Sequence, residues 1–137
     1  MVMKTILMIL LLVLPVSAFA DKSLIMGGFS HHTSKCYKDG AECKPWNESN
    51  PLIAIEYNGY FVGEMLNGYN EESTFIGYHH QAKVFGLMGM MSNKYNLSSL
   101  PRVGNLVIGG FLTAKAGPLL LLTVPGKVYV ITVQLKL

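Results

Sequence analysis

Val128-Tyr129-Val130-Ile131-Thr132-Val133-Gln134-Leu135-Lys136-Leu137 closes the chain, and its reading decides the fold. Tyr129, Ile131, Val133, Leu135 and Leu137 share one parity, while Val130, Thr132, Gln134 and Lys136 share the other. Neighbouring strand residues point to opposite faces, so the segment presents one apolar face and one largely polar face. A membrane-spanning barrel strand has this pattern, apolar toward lipid and polar toward the lumen. The rival host, an amphipathic strand in a soluble periplasmic sandwich, accounts poorly for the apolar run Leu119-Leu120-Leu121-Leu122 just upstream. On the barrel reading, Arg in place of Val133 near the bilayer midplane destabilises by about 2–4 kcal/mol, whereas the inward Thr132 tolerates polar change.

Upstream, apolar residues do not recur at helical spacing for long, and pieces of period-two alternation are separated by turn signals. The expected fold is all-β: an eight-stranded antiparallel transmembrane β-barrel of the outer-membrane type. Its strands are expected over 23–33, 51–57, 60–67, 73–81, 84–92, 104–114, 118–124 and 127–137. Asn58-Gly59 is the strongest two-residue hairpin signal. Bacterial barrels have an even strand number, short periplasmic turns and longer external loops. Three of the four expected external connections are long: the one holding Cys36 and Cys43, Gly68 to Glu72, and Ser92 to Val103. The fourth, around Pro125-Gly126, is tight.

The first residues set the compartment. Lys4 begins a short basic region, Ile6 to Val16 is uninterruptedly apolar, and Ala18-Phe19-Ala20 is an A-x-A cleavage site before Asp21. This run is too short to span a bilayer comfortably as a helix, which needs roughly 20 residues. Residues 1–20 are therefore expected to be a signal peptide and 21–137 the barrel domain, exported to the bacterial outer membrane. Without Lys4, ten of the eleven basic residues remain against eight acidic ones. They are scattered singly, which excludes the basic patch that nucleic acid requires. Cys36 and Cys43, an even pair in an exported chain, read as a disulfide across a polar turn. So small a closed loop contributes roughly 2–3 kcal/mol.

Parity also assigns the lumen. Ala54 and Glu56 are expected inward against outward Ile53, Ile55 and Tyr57; Glu64 inward against outward Phe61 and Met65; and Phe75, His79, Gln81 and Lys83 inward. Glu56 and Glu64 with Lys83 and Lys136 then form a structural ion network. Eight strands leave room for side chains or one small ligand, not an aqueous pore. Each of the pairs His31-His32 and His79-His80 can offer only one imidazole to the interior, and no carboxylate stands at ligand spacing. No metal and no other cofactor is expected.

A resemblance adds to this. His31-His32 in the first strand, Lys44-Pro45-Trp46-Asn47-Glu48 in the following loop, Asn67-Gly68, Ile76-Gly77-Tyr78, Gly117-Pro118, Val124-Pro125-Gly126 and the closing Val128-Tyr129 strand resemble the outer-membrane lipid A palmitoyltransferase family. The resemblance covers about two thirds of the mature chain and implies a small eight-stranded barrel holding an acyl chain in its lumen. It implies His31 or His32 as general base, with Asn67 polarising an ester. Where the family has an Asp-Ser pair after its third strand, this chain has Asn67-Gly68, and the family's amino-terminal helix has no counterpart. The last strand likewise resembles the signature read by the barrel assembly machinery, which would be a partner during biogenesis.

The expected function is thus that of a monomeric outer-membrane barrel that binds or modifies lipid A acyl chains, with lipopolysaccharide or phospholipid as its partner. The alternative is a non-enzymatic surface protein, of bacterial or bacteriophage origin, whose external loops bind or mask another envelope component.

Overall fold

The computed structural model describes residues 21–93 and 102–137; the expected signal peptide and most of the third long connection lie outside the described residues. The described strands are β1 (Lys22–His32), β2 (Cys36–Asp39), β3 (Glu42–Pro45), β4 (Ser49–Tyr57), β5 (Tyr60–Leu66), β6 (Glu72–Gln81), β7 (Phe85–Ser92), β8 (Arg102–Val103), β9 (Leu106–Ala116), β10 (Leu119–Val124) and β11 (Val128–Lys136). Among the described residues there is no helix.

Eight strands close into an antiparallel barrel in the order β1-β4-β5-β6-β7-β9-β10-β11, with β11 returning to pair with β1 from Ser23↔Lys136 to His32↔Val128. Closure satisfies both edges of the sheet, which would otherwise present unpaired backbone groups. β2 and β3 form a separate hairpin in the first long connection, and β8 is a two-residue addition beside β9.

Short turns gather at one end. Asn58 (φ 50°) and Gly59 (φ 87°) both take positive φ, the type I′ geometry that matches strand twist. The terminal segments lie at the same end, since the Asn58 amide donates to the Asp21 carbonyl and the Leu137 amide to the Lys22 carbonyl. The opposite end, called the mouth below, carries the long connections and the β2–β3 hairpin.

The outer face is apolar. Phe85, Leu87, Leu119 and Ile131 expose about half or more of their surface. The inner face is apolar only at mid-height, where Ile25, Ala54, Phe61, Phe75, Met88, Leu120 and Leu122 form one buried cluster, with Leu120 wholly enclosed. This plug needs small residues in the wall. A methyl on Gly77 would sit 2.6 Å from the Phe61 ring, and one on Gly63 would sit 2.7 Å from Phe75. Polar layers lie above and below the plug, so the lumen is not a continuous channel.

Most expected orientations hold. Ala54, Glu56, Phe75, His79 and Gln81 face inward, and β11 alternates as read. In β1 the register shifts between Met26 and Phe29, so inward parity passes from Ser23 and Ile25 to Ser30 and His32. β5 is reversed relative to expectation. Phe61 is buried in the plug and Met65 packs against it, which puts Glu64 on the outer face. The register Ala54↔Gly63 decides this, because it lays the two smallest side chains of the pair under the Phe75 ring. Glu64 therefore does not join an internal ion network. Thr132 is also unsuited to free polar change, since it is 1% exposed and its hydroxyl donates to the Leu120 carbonyl at 3.1 Å.

Candidate functional site

Three places on the barrel carry enough organisation to act: the mouth, a slot in the wall, and a chamber at the turn end.

At the mouth, Cys36 and Cys43 are joined across the β2–β3 hairpin with Cα atoms 5.5 Å apart. Aromatic contacts tie this hairpin to the barrel rim. Trp46 stacks on His32 with ring centroids 4.1 Å apart, Tyr37 stands edge-on to Tyr69 at 4.7 Å, and Trp46 meets both tyrosines. Gly68 lies beneath, where any side chain would press on Trp46 and His32. The Trp46 ring N–H donates to the Ser34 hydroxyl. Aromatic pairs of this kind contribute about 0.5–1.5 kcal/mol each beyond their burial.

The three residues expected to act at this rim are placed differently. His31 points outward and pairs with Glu48 at 3.2 Å in an exposed setting, where such a pair is worth little. His32 points in, with Nδ1 buried and without a hydrogen-bond partner. Because it stands at the level of the polar His31 and Glu48, it lies beyond the apolar belt. Burial lowers its pKa below the ordinary value, with nearby Glu48 opposing and His31 reinforcing the shift. Burial likewise raises the pKa of the Tyr69 hydroxyl, helped by Tyr37. Asn67 is completely enclosed, and its side-chain oxygen accepts from the amides of Tyr69 and Glu71, shaping the β5–β6 loop. Asn67 adjoins Gly68 and hence the His32 ring, while His31 is on the other face. Below the rim, Asn50 bridges the Ser30 hydroxyl and the Leu66 carbonyl, completing a buried polar layer.

The wall slot follows from the tight Pro125-Gly126 connection. β10 pairs only with residues 112–116 of β9, and β8 covers residues 106–107 of the same edge. Residues 108–111 therefore have no strand on that side among the described residues. Proline has no N–H to continue a ladder, and the Lys127 amide turns back to the Val124 carbonyl. At the slot opens a groove of about 320 Å³, lined by outward Leu87, Gly89, Gly110 and Leu112 and reaching inward to Met88 and Phe111 at the edge of the plug.

The chamber at the turn end is larger, about 630 Å³. At its floor, Glu56 and His79 form a buried pair at 3.0 Å, with side chains 13% and 1% exposed. A carboxylate can only accept, so Nδ1 of His79 carries the proton of that bond. Nε2 of His79 faces Gln81 at 2.9 Å and the Thr113 hydroxyl at 3.3 Å. Glu56 also accepts from the Gln134 amide at 3.1 Å. Removing one partner of a buried pair costs about 3–5 kcal/mol. The expected partners Lys83 and Lys136 stand instead at the chamber's rim, Lys136 beside Asp21 at 3.5 Å. Sequence reading turned Glu56 and His79 inward without joining them. Their facing positions depend on the β4–β5–β6 register, which no local motif encodes.

Fold and sites together define a small closed barrel, apolar outside and plugged within. Comparison with protein-family models, with curated proteins and with solved structures gives no match.

Proposed function

We propose that this protein is an outer-membrane barrel that binds an acyl chain of outer-membrane lipid in the groove beside its wall slot. The observation that carries this reading is the pairing of an apolar exterior with a lumen closed at mid-height. An acyl chain cannot occupy a lumen filled by Phe61, Phe75 and Leu120, whereas the groove along Leu87, Gly110 and Leu112 lies open on the apolar face. Two glycines make the groove. A methyl on Gly89 would meet nothing within 4 Å, and one on Gly110 would meet only the Met88 carbonyl oxygen, at 3.7 Å.

Those vacant positions supply the test. G110L projects into the groove from a position where its Cβ meets no atom closer than 3.7 Å, so it should assemble normally and lose crosslinking to a photoreactive phosphatidylethanolamine that labels the wild type near Leu112. Equal labelling of both proteins defeats the acyl-groove reading. A mass spectrum of lipid A from expressing cells adds the chemical arm. If acyl transfer accompanies binding, a mass gain appears and is abolished by H31A/H32A, because loss of a general base costs at least about a hundredfold in rate. An unchanged lipid A mass confines the activity to binding.

A second reading is supported by the disulfide-stapled, aromatic-clamped hairpin. Such a preordered projection suits a surface protein whose loops engage another envelope component.

A further inference from the structure

The edge of β9 at the wall slot presents its backbone groups in a definite order. The Lys115 amide donates to the Val84 carbonyl, on the β7 side, and the β7–β9 register runs unbroken from Phe85↔Ala114 to Ser92↔Val107. Successive residues of an antiparallel strand direct their N–H and C=O groups to alternate sides. Odd-numbered residues of β9 therefore bond to β7, while Ile108 and Gly110 turn both of their groups into the slot. β10 reaches no further along this edge than Leu112, and β8 no further than Val107, so these four groups have no strand partner among the described residues. They stand on accessible residues, since Gly110 is exposed and Ile108 is 37% exposed. An unmet backbone group is strongly disfavoured at hydrocarbon depth.

The surroundings define what can answer them. Gly109 and Gly110 leave this bank of the slot bare on both faces: a methyl on the first would meet nothing within 4 Å, and one on the second only the Met88 carbonyl oxygen. A further strand residue can therefore reach hydrogen-bonding distance without meeting a side chain. Toward the turn end the edge gives way to the groove along Leu87 and Leu112. Toward the mouth it leads to Asn105 and Asn93, at the ends of the two strands. A segment pairing antiparallel to β9 runs from groove to mouth, so its amino end lies at the groove.

Ligand chemistry follows from this. An ester lipid brings only acceptors and leaves the carbonyls of Ile108 and Gly110 unmet. A lone trans amide points its N–H and C=O in opposite directions and meets one group of Gly110, not both. An extended amino-acid residue presents both on one side, as a paired strand does. A free amino end would set an ammonium group beside Leu112, whereas acylation removes that charge and supplies the chain that the groove takes.

We infer that the wall slot binds the acylated amino end of a lipid-modified peptide, with the first residue paired to Gly110, the third to Ile108, and the acyl chain along Leu112. This rests on the acyl-groove reading and names its ligand class. The binding mode is strand addition at an open edge, in which main-chain bonds supply affinity and the adjoining groove selects the acyl group.

The test uses the mature protein in phosphatidylcholine vesicles. The probes are N-palmitoyl-Ala-Gly-Ala amide, its analogue with an ester oxygen in place of the first N–H, and phosphatidylethanolamine, each with the same diazirine in its acyl chain. At equal mole fraction the peptide probe should label near Leu112 about tenfold more strongly than the ester analogue, which lacks one donor, or the phospholipid. An equal amount of N-acetyl-Ala-Gly-Ala amide should not displace it. G110P removes the slot-facing N–H without breaking a described ladder bond and should bring the peptide down to the phospholipid's level, with heat-modifiable migration confirming assembly. Equal labelling by all three probes overturns the peptide inference and leaves the acyl groove standing. Displacement by the acetyl peptide, or an unchanged preference in assembled G110P, also overturns it. Absence of labelling near Leu112 by every probe overturns both readings.

Discussion

Replacing Phe61 by Ala tests the least obvious feature of the barrel, the inward parity of β5. The ring is 3% exposed and lies 5.9 Å from that of Phe75, centroid to centroid. Truncation removes the ring from water-free surroundings and leaves a hole, and Phe→Ala changes of this type cost about 3–5 kcal/mol. The local structure favours the upper part of that range. Gly77 borders the hole and has no side chain to move into it, so relaxation is limited and about 4 kcal/mol is expected. Val62→Ala, one residue further on, removes methyl groups from the outer face and opens no cavity in the plug, so it should cost about 1 kcal/mol. Equilibrium urea unfolding in phospholipid vesicles, followed by far-ultraviolet circular dichroism, measures both. If Val62→Ala proves as costly as Phe61→Ala, the strand has the opposite parity and the plug is wrongly composed.

Further outcomes follow from the rest of the molecule. Val133→Arg should destabilise by about 2–4 kcal/mol in the same assay if the outer face meets lipid, and a much smaller cost in vesicles removes that placement. A thiol reagent should label Cys36 and Cys43 only after reduction, and the reduced protein should keep its heat-modifiable migration because the barrel strands pair without the hairpin; labelling without reductant contradicts the bridge. Because the folded pKa of His32 lies below its unfolded value near 6.5, the unfolded state binds more protons, and the hairpin contact is complete above that pH and weakens as pH falls below it. Fluorescence of Trp46, the sole tryptophan, should therefore change on acidification through that region, and H32F should abolish the change.

Much of this architecture is legible in the sequence because the decisive signals are local. Alternation in β11, the Asn58-Gly59 turn and the long first connection each follow from residues close together in the chain. β5 misleads because Tyr60, Phe61, Val62, Met65 and Leu66 are apolar on both parities. In a plugged barrel the polar-in rule fails at mid-height, and the better guide is where small residues stand: Ala54, Gly63 and Gly77 mark the places into which large rings project. The sites were less legible. His32, Tyr37, Trp46 and Tyr69 come from separate segments, and Glu56 and His79 from strands that do not adjoin. No spacing rule links such residues, because closure of the sheet and its register bring them together.

The plug that Leu120 and the two phenylalanines build has a consequence for the life of the molecule. It makes the barrel two cups set base to base, so that a solute entering one never meets the contents of the other. The closure is made by side chains of the wall itself, so it persists whatever the turns and the hairpin at the two ends do.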